Sequence, residues 1–156
     1  MPDQDPVEVA ALLNQNRDGW SATMGLSFVR ASRDEVVADL EVGPANLQAY
    51  GIVHGGVHAG VIETLASVGA ALDAMTRAQS VVGLENHTSF LRAVRGGRLR
   101  VTAKPLSRGR RSQVWEGTVI DDRDRVVATG RVRLFCLDAG VELAGEQVAL
   151  KKGELG

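Results

Sequence analysis

Residues 55–72 read GGVHAGVIETLASVGAAL, and this run constrains the fold more than any other segment. It is apolar, rich in glycine and alanine, and long enough for about five turns of helix. Mid-helix glycine costs roughly 1 kcal/mol each, so Gly60 and Gly69, with Ala66 and Ala70, predict a thin rod against which a sheet packs closely. Apart from His58, Glu63 is the only acidic or basic side chain in the run. An isolated carboxylate is costly to bury. Glu63 therefore faces water, pairs with a cation, or is kept in those surroundings for chemistry.

The flanking pattern supplies the sheet. Asp5-Pro6-Val7-Glu8 predicts a helix start, with Asp5 as cap and Pro6 at the first helical position, running to about Arg17. A strand is expected from Gly25 to Ser32. Val36, Ala38, Leu40 and Val42 then alternate with Val37, Asp39 and Glu41, the mark of a half-buried strand. A loop at 44–54 leads into a helix over 55–76. From Ser80 the period becomes two, with strands expected near 80–93, 98–106, 112–121 and 125–136. Short turns join these last four, which implies antiparallel pairing. The order is an α+β arrangement: a single antiparallel layer of about six strands, with one face covered by the long helix. We divide the chain into an N-terminal helical segment, 1–20, a folded domain, 21–137, and a C-terminal tail, 138–156, expected to be frayed or to form a short helix.

With 156 residues the chain is one domain by length. The single Cys136 excludes an internal disulfide and fits a reducing compartment. The sequence MPDQDPVEVA predicts no secretory leader, and the glycines and Glu63 in 55–72 predict a buried helix rather than a membrane span. A cytoplasmic protein is expected. Net charge is −1, yet Arg92, Arg95, Arg98, Arg100, Lys104, Arg108, Arg110 and Arg111 all fall between Glu85 and Glu116 with no acid among them. Such a cluster either meets a polyanionic ligand or is a solvated face with partners elsewhere in the fold. Nucleic acid is not the expected partner, because no interleaved aromatics or known module accompany the charges. A metal is not expected: His54 and His58 stand at i and i+4, but no HExxH pattern or cysteine pair surrounds them.

The motif NLQAYGIVHGGVHAGVIETLAS, with H-G-G and a carboxylate nine residues past His54, resembles the hotdog fold. More narrowly it is similar to the 4-hydroxybenzoyl-CoA and phenylacetate-degradation branch of acyl-CoA thioesterases, over roughly residues 22–137. The resemblance implies a curved antiparallel sheet wrapped around one long central helix. It also implies a homodimer with active sites at the interface, which often pairs again into a dimer of dimers. Of the two subtypes, Asp or Glu on the helix, Glu63 matches the second, and Gln48 and Ser67 match its loop glutamine and helix hydroxyl. Ser67 stands where threonine is expected. The implied reaction is hydrolysis of an acyl-coenzyme A without a separate cofactor, coenzyme A being part of the substrate.

Thioester hydrolysis needs a donor to polarise the carbonyl and a group that attacks it or activates water. The Gly55 amide, at the start of the long helix, is the candidate donor, and glycine there lets the oxygen approach. Gly56 serves the same approach or packing. Glu63 is the candidate nucleophile or general base. Gln48 is a candidate to bond the carboxylate, a water or the thioester, Ser67 to orient the water, and His54 to stabilise the loop before the helix. Arg92, Arg110, Arg111 and Ser112 are candidates for the phosphates of coenzyme A, which guanidinium forks suit. Gly55 and Glu63 lie about 12 Å apart along one helix at 1.5 Å per residue, so one carbonyl meets both only across two antiparallel helices from two subunits. Two alternatives stay open: a non-catalytic acyl-CoA-binding protein, and a hotdog 3-hydroxyacyl-CoA dehydratase, which uses a differently spaced histidine and carboxylate.

Overall fold

The structure is a computed structural model, and it describes residues 4–17 and 19–148. Three helices are α1 (Pro6–Gln15), α2 (Gly19–Met24) and α3 (Gly55–Ala74), with 3-10 turns at Pro44–Asn46 and Met75–Arg77. The strands are β1 (Leu26–Ala31), β2 (Val36–Glu41), β3 (Gln79–Phe90), β4 (Arg98–Arg108), β5 (Ser112–Ile120) and β6 (Val126–Asp138). A small hairpin follows, β7 (Glu142–Leu143) and β8 (Glu146–Gln147).

α1 starts as the sequence predicts: the Asp5 carboxylate accepts from the Val7 N–H at 2.8 Å, with Pro6 at the first helical position. Asn14 ties α1 to β1, donating to the Phe28 carbonyl and accepting from the Phe28 N–H, each at 2.8 Å. The short helix α2 was not expected. It carries no cap signal and lies on α3, with Trp20 and Met24 against Gly60. The described part of the tail is also not helical. Ala144 and Gly145, both at positive φ, close β7 and β8 into a two-residue hairpin turn. Residues 149–156 lie outside the described part.

The main sheet has the order β1-β2-β4-β5-β6-β3, every neighbouring pair antiparallel. It wraps α3, which touches all six strands. The glycines explain how closely. A β-carbon on Gly69 would stand 2.3 Å from the ring of Trp115, which is fully buried, and one on Gly117 would stand 2.7 Å from Ile62. Trp115 donates through Nε1 to Gln113, whose amide donates to Asp73 and to the Ala70 carbonyl, so the polar atoms at this end of the core are paired. By length and composition Gly55–Arg77 would pass for a membrane span, but half of that stretch is buried inside the sheet as the core helix.

Register also settles the basic stretch. β2 and β4 pair so that acids distant in sequence face its cations. Arg100 meets Asp39 through two hydrogen bonds of 2.8 Å, Lys104 meets Glu35 at 3.0 Å, and Arg108 meets Asp34 at 2.8 Å. Arg95 is spent on the carbonyls of Tyr50 and Gly51. The cluster is therefore not uniformly uncompensated. Among the described residues, Arg92, Arg95, Arg98, Arg110 and Arg111 have no acidic partner, and of these Arg95 is the one held by carbonyls.

Candidate active site

The loop before α3 is built to expose the helix start. Its backbone closes on itself through Gln48 N–H to the Ile52 carbonyl and Gly51 N–H to the Gln48 carbonyl, both 2.8 Å, with Gly51 at positive φ. His54 is the N-cap. Its Nδ1 accepts from the Gly56 N–H at 2.8 Å, so the imidazole serves the helix rather than the chemistry of a base. Gly56 must be small for this bond, since a β-carbon there would stand 2.9 Å from Nδ1. Among the described residues the Gly55 N–H has no acceptor. It is an open donor at the positive end of a 20-residue helix.

That amide opens on a cleft of about 280 Å³ lined by Gln48, Ile52, Val53, Gly55, His58, Phe90, Leu91, Arg92 and Ala93. One chain thus brings together Gln48, Gly55 and Arg92. It does not bring Glu63 or Ser67 to the same cleft. Glu63 is partly buried, two turns further along α3, against β3. Its Oε2 accepts from Asn86 Nδ2 at 2.9 Å, and no Lys or Arg among the described residues pairs with it. Of the three options for an isolated acid, pairing with a cation is not the one taken among the described residues. Ser67, one turn further, makes no side-chain hydrogen bond among the described residues. Arg110 and Arg111 line a different cleft with Gln79, Phe135 and Cys136 at the far end of α3, and Ser112 opens β5 beside it.

Two features of the site were not singled out from sequence. Asn86 donates to Glu63, and Thr88 donates to Asn86. Reading them requires knowing that β3 is irregular at Leu84, where the pairing with β6 shifts by one residue. His58 was weighed only as a metal ligand, but it is a wall of the Gly55 cleft. It is 3% exposed, its ring lies tilted at 6.1 Å from that of Phe90, and its Nδ1 has no partner among the described residues.

Burial lowers the pKa of His58 below the ordinary 6.5. The folded chain therefore binds a proton at His58 less readily than the unfolded one, and acid favours unfolding. This contribution to stability is full above the unfolded value and falls as pH drops below it. Chemical denaturation at about pH 7.5 and about pH 5.5 should show wild type losing more stability than His58→Leu on acidification. An identical loss in both proteins would refute the assignment.

A sequence profile of the Thioesterase superfamily matches residues 50–128, which include the end of the loop, α3, β3, β4, β5 and the start of β6. The chain belongs to that superfamily. A candidate esterase of Mycobacterium tuberculosis, Rv1847, is 45% identical over 122 residues, 77% of this chain and 87% of that one. Its solved structure superposes with a TM-score of 0.76, at 44% identity over 78% of this chain and 98% of that one. The proofreading thioesterase EntH of Klebsiella pneumoniae is 34% identical over 125 residues, 80% of this chain and 90% of that protein. The thioesterase HI1161 of Haemophilus influenzae has a TM-score of 0.78 at 25% identity, covering 88% and 94% of the two chains. These likenesses agree with the hotdog architecture described above. This thioesterase is a thioester hydrolase, and its open helix-start amide and unpaired carboxylate are groups such a reaction can use.

Proposed function

We propose that this thioesterase hydrolyses an acyl- or aryl-coenzyme A, as the Glu subtype of the 4-hydroxybenzoyl-CoA and phenylacetate-degradation branch, at sites shared by two protomers of a homodimer. The observation that carries the reading is the separation within one chain. Among the described residues, the unsatisfied Gly55 N–H lies in one cleft, while Glu63 lies outside it with a neutral partner and no cation.

Pairing two copies with antiparallel α3 helices brings each Glu63 to the other's Gly55. The edge of β3 favours such pairing: among the described residues it has only β6 as neighbour, and Leu84, Phe90 and Leu91 on and beside it are each more than half exposed. The same packing sets the end of the partner's α3 about 16 Å beyond Gly55, against about 30 Å for the chain's own. Arg110, Arg111 and Ser112 of the partner subunit are then better placed for coenzyme A phosphates than the chain's own copies. Arg92, already in the Gly55 cleft, serves from the same chain.

In the reaction the Gly55 N–H, with the helix dipole behind it, stabilises negative charge gathering on the thioester oxygen. Glu63 attacks the carbonyl carbon directly, or takes a proton from the water that does. The C–S bond breaks, and the thiolate of coenzyme A leaves and takes a proton. On the water route this releases the acid. On the direct route the mixed anhydride formed with Glu63 is then cleaved by water, which releases the acid and restores the carboxylate. Gln48 orients the carbonyl or the water, and Ser67 the water. His54 acts through the helix start that it caps.

Free-thiol release from a panel of acyl- and aryl-coenzyme A thioesters tests the substrate class. Release from at least one member with ordinary enzymatic efficiency is expected. Water loss from a 3-hydroxyacyl-CoA with no thiol released would favour the dehydratase reading instead. Binding without either reaction would favour the non-catalytic one.

A further inference from the structure

The irregularity at Leu84 decides which side chain of β3 meets Glu63. Gly83 stands opposite Leu134 and Glu85 opposite Arg133, so β3 carries one residue more than β6 at this point. Without the bulge, strict alternation would turn Glu85 and His87 to the face that Gly83 shares, towards α3. With it, Asn86, Thr88 and Phe90 take that face, opposite Val132, Gly130 and Ala128. A neutral amide meets the carboxylate where a second carboxylate would otherwise stand.

The amide is fully specified. Asn86 Nδ2 donates to Glu63 Oε2 at 2.9 Å and to the Ala59 carbonyl at 3.1 Å, which occupies both of its hydrogens. Its Oδ1 accepts from Thr88 Oγ1 at 2.6 Å. Reversed, the group would press oxygen against the carboxylate and leave the Thr88 hydroxyl without its acceptor. The two oxygens of Glu63 are thereby made different. Oε2 is held. Oε1 has no protein donor among the described residues and lies over Gly83, where a β-carbon would stand 2.4 Å from it.

We propose that Asn86, oriented by Thr88, is a positioning residue that holds Oε2 so that Oε1, above Gly83, is the oxygen that attacks the thioester or takes the proton of water. The inference rests on the reading of Glu63 as the reacting carboxylate. The bond is open to solvent in a single chain. Closure of a partner over the β3 edge excludes that water and strengthens the hold.

Steady-state thiol release from the best substrate of the panel tests it in four proteins: Asn86→Ala, Thr88→Val, Glu63→Ala, and Asn86→Ala combined with Glu63→Ala. Asn86→Ala should lower kcat about 10- to 10²-fold with KM little changed, the cost of a misplaced reacting group. Thr88→Val, which keeps the donor but frees its orientation, should lower kcat in the same direction by less. In the Glu63→Ala background, Asn86→Ala should cost nothing further, because it acts only through the missing carboxylate. Turnover retained by Glu63→Ala would remove the reading on which this one rests. An inactive Glu63→Ala beside wild-type kcat in Asn86→Ala and Thr88→Val would overturn the positioning role alone. So would an effect on KM instead of kcat, or an equal further loss in the double variant. Melting temperatures confirm that each protein is folded, and if Asn86→Ala is not, Thr88→Val carries the test.

Discussion

Glu63→Gln lowers kcat for thiol release at least about 10²-fold, the usual cost of losing a positioned acid–base or nucleophilic group, while substrate binding is largely kept. Glutamine is the informative replacement because it keeps the shape of the side chain and can still meet the Asn86 amide through its own oxygen. What it loses is the charge and the ability to attack or to accept a proton. Single-turnover measurement of thiol release, with binding followed separately, divides the two effects. A kcat within a few-fold of wild type would remove Glu63 from the chemistry and leave its unpaired state without a functional reason.

The second large effect is a recovery. Gly55→Val should be inactive, since a β-carbon there meets the Phe90 ring at 2.6 Å and a branched side chain covers the donor amide. Glu63→Gln should be inactive for the reason above. A dimer containing one subunit of each holds one site with both defects and one with neither. Co-expression with two different affinity tags isolates that mixed dimer, and its kcat per dimer should be about half that of wild type, far above either parent. A mixed dimer as inactive as its parents would place both groups of each site in the same subunit, contrary to the roughly 12 Å that separates them along α3.

Much of the fold was legible because two periodicities are clean. The small-residue run announces a helix packed tightly within a sheet, and Gly69 against Trp115 is what that looks like in space. Leu99, Val101 and Ala103, all buried, alternate as half-buried strand residues should. α2 was missed because six residues with no cap carry too little pattern to separate from a loop. The charge of 92–111 stays open between its two readings in the sequence because its counter-charges, Asp34, Glu35 and Asp39, lie some 60 to 75 residues earlier and meet it only through β2–β4 register. In the site, the HGG motif and Glu63 stand out locally, and the cap formed by His54 follows from its place before the helix. Asn86 could not be found by counting twos along β3: one looped-out residue inverts the phase, and nothing in the local sequence marks Leu84 as that residue.

The long unpaired border of β3 bears on how altered proteins will behave in the hands of a biochemist. A twelve-residue strand with one side unbonded among the described residues is a template for any extended chain it meets. Substitutions meant to separate the subunits of the proposed dimer, at Leu84 or Leu91 for example, should leave that template bare during synthesis at high concentration. The product to expect is insoluble material rather than a well-behaved single copy, and yield in the soluble fraction becomes a sensitive reporter of assembly. Placing a lysine or proline along the border at the same time is the way to obtain a tractable isolated subunit.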